Sequence, residues 1–147
     1  MTYLHEDRTI WVTGAASGIG KAAAEEILSE GGCVVGSDLP AADFSWAEGV
    51  DNMRCVTGSV SDVAHNALAV ETAVSEFGHL DGAVLNAGMA GRIDLFDGDM
   101  EFFDEVMDVN VRAVILGIRE CASAMRPGSA ITVTASTSGM RGDPGMW

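Results

Sequence analysis

The residues best suited to chemistry are Thr13-Gly14-Ala15-Ala16-Ser17-Gly18-Ile19-Gly20, which join a β-branched run to an amphipathic stretch. A glycine-rich loop that opens a helix can cradle a phosphate, because the free helix amides and the helix dipole both favour an anion there. Gly14 permits the tight turn, Gly18 removes the side chain that would block a pyrophosphate, and Gly20 lets the helix pack closely on the strand. A merely flexible turn is the competing reading in a chain with 18 glycines. Asp38 follows about twenty residues further on, the distance at which an acidic side chain accepts hydrogen bonds from an adenosine ribose. Its carboxylate would repel a 2′-phosphate and no arginine or lysine stands beside it, so NAD is expected over NADP. The plainer alternative for Asp38 is a loop residue ahead of Pro40.

Short apolar runs alternating with longer amphipathic stretches must position these residues. Thr9–Thr13, Cys33–Asp38, Met53–Thr57, Leu80–Leu85 and Ser129–Thr134 read as buried parallel strands. Between them, Gly18 to Gly31 places Ile19, Ala22, Ala23, Ile27 and Leu28 at helical spacing. A second helix, capped by Ser61 or Asp62, runs to about Phe77 with Leu68, Val70, Ala73, Val74 and Phe77 as its apolar members, and Gly78 ends it. The crossover between Asp38 and Met53 is poorly patterned. Asp99 to about Met125 reads as one long helix with a single polar stripe and apolar faces formed by Phe102, Phe103, Val106, Val111, Val114, Ile115, Ile118 and Cys121. Apolar surface that wide implies burial against another subunit as well as against the sheet. Strands alternating with helices call for an α/β fold, a Rossmann-like doubly wound parallel sheet with helices on both faces, spanning residues 1–147 as one domain. A ligand crevice is then expected at the carboxyl ends of the strands, where strand order reverses.

Composition narrows the partners. A formal charge of −14 repels phosphate backbones and anionic lipid, which argues against nucleic-acid or membrane-surface binding. Cys33, Cys55 and Cys121 have neither CxxC spacing nor neighbouring histidine pairs, so they read as reduced, buried thiols with no metal site, and the expected location is the cytoplasm. His5, His65 and His79 read as solvated, in a tail, on a polar helix face and in a turn.

The spacing Thr-Gly-x-x-x-Gly-Ile-Gly is not the GxGxxG of two-domain dehydrogenases; it resembles the short-chain dehydrogenase/reductase family. Other segments share the resemblance in the same order. Phe77-Gly-His-Leu-Asp81 looks like the family's lead-in to its fourth strand, and Asn86-Ala87-Gly88 matches the Asn-Ala-Gly that borders the cofactor and steadies the sheet centre. Asn110, in Asp108-Val-Asn-Val111, is similar to the asparagine that breaks the long helix and holds a water of the proton relay. Ser136 stands where the substrate-orienting serine is expected, with Ser138 as the other candidate, and both also suit a cap or turn.

The resemblance implies cofactor contacts from Gly14, Ser17, Gly18, Ile19, Gly20, Asp38, Leu39, Ser59, Val60, Asn86, Ala87 and Gly88, and catalytic roles for Ser136 and Asn110. It further implies a homo-oligomer through helix 99–125 and hydride transfer between NAD and a small alcohol or ketone. Two departures stand out. Gly58-Ser59-Val60 has a serine where the family commonly has an aspartate near the adenine. The family's Tyr-x-x-x-Lys is absent, since the one tyrosine is Tyr3 and the one lysine is Lys21. The acid/base pair of such an enzyme would therefore come from residues outside this sequence. The alternatives are a non-catalytic NAD-binding fragment, one piece of a nicked enzyme completed by another chain, or a Rossmann-like site for another nucleotide or S-adenosylmethionine.

Overall fold

The protein is described by a computed structural model covering residues 4–91, 96 and 98–142. Among these residues, five strands form one parallel sheet in the order β3-β2-β1-β4-β5. They are β1 (Thr9–Thr13), β2 (Cys33–Asp38), β3 (Met53–Thr57), β4 (Leu80–Leu85) and β5 (Met125–Val133). All five residues of β1 are buried, as a central strand covered on both faces requires. One face carries Trp11, Val35, Val56, Ala83 and Leu85 against α2 (Val63–Phe77) and α4 (Ala113–Ala124). The other carries Ile10, Val12 and Val34 against α1 (Gly18–Ser29) and the β2–β3 crossover. Helices on both faces of a doubly wound sheet are thus observed.

The expected punctuation holds at several ends. Asp62, rather than Ser61, caps α2, its Oδ1 accepting the Ala64 amide at 2.9 Å, and Gly78 closes the helix at φ +87°. The poorly patterned crossover forms no α-helix. Only a 3₁₀ turn at Ser45–Ala47 orders it, and Phe44, Trp46, Ala47 and Val50 pack onto the sheet.

Several expectations need correction. The long helix is divided into α3 (Met100–Met107), a π-turn at Asp108–Arg112 and α4. Strand β5 joins the sheet at Met125 instead of Ser129, and a register shift between Leu80 and Gly82 accommodates Pro127 and Gly128, the latter at φ +90°. On α1 the buried positions are Gly20, Ala24 and Ile27, while Ile19 is 68% exposed. On α2, Leu68 and Val74 are exposed, whereas His65 and Asn66 are buried. Only Cys121 is a buried thiol; Cys33 is half-buried and Cys55 exposed. His79 is half-buried and partnered, its Nε2 lying 3.1 Å from Asp81 Oδ2 and 3.0 Å from the Asp7 carbonyl.

Candidate functional site

Parallel strands deliver their carboxyl ends to one edge of the sheet, and the order places β1 between β2 and β4, the point where chain direction across the sheet reverses. A cleft of about 370 Å³ opens there. It is lined by Gly14, Ser17, Asp38, Leu39, Gly58, Ser59, Val60, Asn86, Ala87, Gly88, Met89, Glu105 and Val109. Nine of the expected cofactor residues meet in this cleft although they come from four separate stretches of sequence: Gly14, Ser17, Asp38, Leu39, Ser59, Val60, Asn86, Ala87 and Gly88. A wider groove of about 610 Å³, lined by Leu4, Ile10, Ile27, Asp81 and Thr132 among others, contains none of the expected residues.

The glycine loop owes its shape to close approaches. Gly14 sits at φ +69°. A Cβ on Gly20 would stand 2.1 Å from the Gly14 carbonyl oxygen, so α1 can start this close to β1 only without a side chain there. Gly20 is buried and structural rather than part of the cleft wall. Gly18, at φ +55°, has open space around its missing Cβ, and Ile19 is exposed beside it; neither lines the cleft. Ser17 precedes the helix without using its hydroxyl as a cap, so the first-turn amides keep their donor capacity at the cleft.

Asp38 accepts the Ala16 amide on Oδ2 at 2.9 Å and the Leu39 amide on Oδ1 at 2.8 Å. It therefore holds the glycine loop and faces the cleft at once. Asn86 ties three strands together at their carboxyl ends. Its amide and that of Ala87 both donate to Thr13 Oγ1 at 2.9 Å, its Nδ2 donates to the Thr13 carbonyl at 3.3 Å, and its Oδ1 accepts from Thr134 Oγ1 at 3.1 Å.

Asn110 lies in the π-turn and is exposed. Its Oδ1 accepts the Met89 amide and its Nδ2 donates to the Met89 carbonyl, each at 2.8 Å, a two-point clamp on the segment that follows Asn86-Ala87-Gly88. Neither Asn110 nor Ser136 is in the cleft wall. Ser136 is exposed just beyond β5 and accepts the Ser138 amide at 3.1 Å, capping the turn Thr137–Gly139. Gly58, Met89, Glu105 and Val109 complete the wall without having been expected as cofactor residues; for Glu105 and Val109, their own four-residue spacing on the helix that carries Asn110 was the available signal.

Electrostatics separate reactive from structural groups. Burial pushes the Cys121 thiol up to about 12 and raises Cys33 and Cys55 as well, which keeps all three protonated and poor nucleophiles. Burial also lowers the pKa of His65, against a smaller opposite effect of Asp62, so its ring is neutral. No group of three or more His, Cys, Asp or Glu side chains among the described residues could hold a metal ion. No helix among them is long and apolar enough to cross a membrane.

Comparison with known proteins agrees with this fold. Residues 14–147 match the family model described as enoyl-(acyl carrier protein) reductase. Levodione reductase of Leifsonia aquatica is 33% identical over 146 residues, covering 92% of this chain and 55% of the relative. Borneol dehydrogenase of Lavandula x intermedia, a mitochondrial protein, is 35% identical over 148 residues, covering 95% and 56%. A short-chain dehydrogenase of Burkholderia cenocepacia, solved in complex with NADP, superposes with a TM-score of 0.88 at 27% identity, covering 96% of this chain and 60% of the other. The chain belongs to the short-chain dehydrogenase/reductase family. It spans a little over half the length of these curated relatives.

Proposed function

We propose that this chain forms the nucleotide-binding part of an oxidoreductase that transfers hydride between NAD and a small alcohol or ketone. The observation that carries the reading is the cleft itself, where the glycine loop, Asp38, Gly58–Val60 and Asn86–Met89 converge at the switch point of the sheet. The residues fit a dinucleotide. Open space at Gly18 and uncapped first-turn amides suit a diphosphate, and Asp38 presents a carboxylate where ribose hydroxyls would donate. The Gly58–Val60 segment suits the adenine, and Ala87 to Met89 with Val109 the nicotinamide end. When bound, the nicotinamide supplies the hydride acceptor or donor.

Asp38 supports NAD over NADP. It brings a negative charge to the ribose edge, and both of its neighbours on the far side, Leu39 and Pro40, are uncharged. Titration with NADH and NADPH tests this preference: at least tenfold tighter NADH, about 1.4 kcal/mol, is expected, and equal affinities would remove it.

Ser136 is proposed to hydrogen-bond the reacting oxygen, and Asn110 to support the cleft by holding Met89. Lys21 is turned to other work, 3.7 Å from Glu25 and over the Trp46 ring, so it does not supply the lysine of a Tyr-x-x-x-Lys pair. Tyr3 lies outside the described residues. The acid/base group is therefore proposed to come from residues other than these. That same observation supports a second reading, a chain that binds NAD without turnover. Release of NADH from a panel of secondary alcohols separates the two, as does its loss in Ser136→Ala. We further propose self-association through the exposed apolar stripe of α4, a cytoplasmic location, and no nucleic-acid or membrane partner.

A further inference from the structure

Asn66 has a position that neither packing nor capping accounts for. It lies in the first turns of α2, is fully buried, and sits in the layer between sheet and helices where apolar side chains prevail. Burying an amide costs stability unless its hydrogen bonds are made. Its Nδ2 donates to the Val60 carbonyl at 2.9 Å, while its Oδ1 has no hydrogen-bond partner. A leucine would occupy this layer at less cost, so the amide is retained for what its donor holds.

What it holds is part of the cleft. A void of about 10 Å³ lies beneath the cleft floor, bordered by Asn66. Val60, Ala87 and Val109 line both the void above Asn66 and the cleft, which makes them the shared wall. The other ties on this segment are local or point elsewhere. The Ser61 amide donates to Ser59 Oγ at 3.2 Å, and Arg112 donates to the Ser61 carbonyl at 3.2 Å. Among the described residues, Asn66 is the side chain that reaches the Val60 carbonyl from inside the fold.

We propose that Asn66 is a positioning residue for the cleft: its amide fixes Val60 from behind, and so sets the Ser59–Val60 wall against which the adenine end of a dinucleotide is bound. This rests on the reading of the cleft as a dinucleotide site.

The test is titration of the intact protein with ADP-ribose and NADH, in wild type, Asn66→Leu and Asn66→Asp, together with thermal unfolding of each without ligand. Asn66→Leu is expected to weaken both ligands about tenfold, with the midpoint of unfolding unchanged or raised. Asn66→Asp adds a pH profile. A protonated carboxyl can donate to the Val60 carbonyl and an ionised one cannot, so its affinity approaches wild type at low pH and falls as pH rises. His65, Asp62 and Arg112, the titratable and charged groups of this loop, helix and neighbouring π-turn, are common to both proteins, so the difference between the profiles belongs to residue 66. Unchanged affinity in both variants overturns the proposal. So does a lowered unfolding midpoint in Asn66→Leu with affinity unchanged, which is what a merely structural role would give. If wild type binds neither ligand, the cleft reading itself fails, and this proposal with it.

Discussion

Both oxygens of Asp38 already accept backbone amides, one from the glycine loop and one from Leu39, so this carboxylate shapes the loop as well as its charge environment. Asp38→Ala is therefore expected to weaken NADH and to narrow the gap between NADH and NADPH, measured by fluorescence titration of both cofactors. Asp81 is a second carboxylate with structural work. It is buried, accepts the Thr9 amide at 2.9 Å, pairs with His79 and is hydrogen-bonded by Arg126 Nε. Burial alone would raise its pKa, but the Arg126 and Thr9 hydrogen bonds with the charges of His79 and Arg126 hold it below its ordinary 3.8. The unfolded chain binds that proton more readily, so the stabilisation is complete above about pH 4 and is lost as pH falls through the lowered value. Denaturant unfolding between pH 7 and strongly acid pH checks this. Arg126→Ala should reduce the loss by about 1 kcal/mol, the half-exposed arginine keeping the effect small. The places of Asp38 and Gly14 at the cleft were legible because residue type and spacing put them at the ends of β2 and β1. Asp81 as a tie, and the burial of His65, were not, since both depend on which distant elements close over them.

At the scale of elements, strand positions could be read almost residue by residue, because a buried parallel strand is a short unbroken apolar run. The exceptions have local causes. Strand β5 begins early because Met125 pairs with Leu80 before the register shift, so Pro127 and Gly128 mark an irregularity within the strand and not its start. The helix from Met100 to Ala124 keeps one apolar pattern throughout, and that periodicity conceals the π-turn where Asn110 leaves it to clamp Met89; only the resemblance, which made Asn110 the residue that breaks the long helix, pointed to it. The clamp explains why an asparagine stands there. Asn110→Leu removes both bonds to the Met89 backbone. Hydrogen exchange at the Met89 amide should then speed up, and stability should fall by about 1–3 kcal/mol. Unchanged protection at Met89 would show that the segment is held by something else.

For the whole molecule, the sheet collects residues from four loops at one edge, which is how a fold of this class makes a nucleotide site from short motifs far apart in sequence. The same architecture leaves Val111, Ile115 and Ile118 exposed along the π-turn and α4. An apolar stripe at helical spacing is suited to a symmetric contact between copies, so Ile115→Glu is expected to convert an oligomer into a monomer in light scattering. A wild-type protein that is already monomeric would contradict that.

The central claim is that the cleft binds a nicotinamide dinucleotide through its adenosine end. Calorimetric titration of the intact protein with ADP-ribose, which carries the adenine, both riboses and the diphosphate but no nicotinamide, tests it most directly. Saturable one-site binding, lost in Ser17→Trp, where a bulky side chain would fill the cleft at the glycine loop, is the predicted result. No binding by wild type, or binding that Ser17→Trp leaves intact, would contradict it.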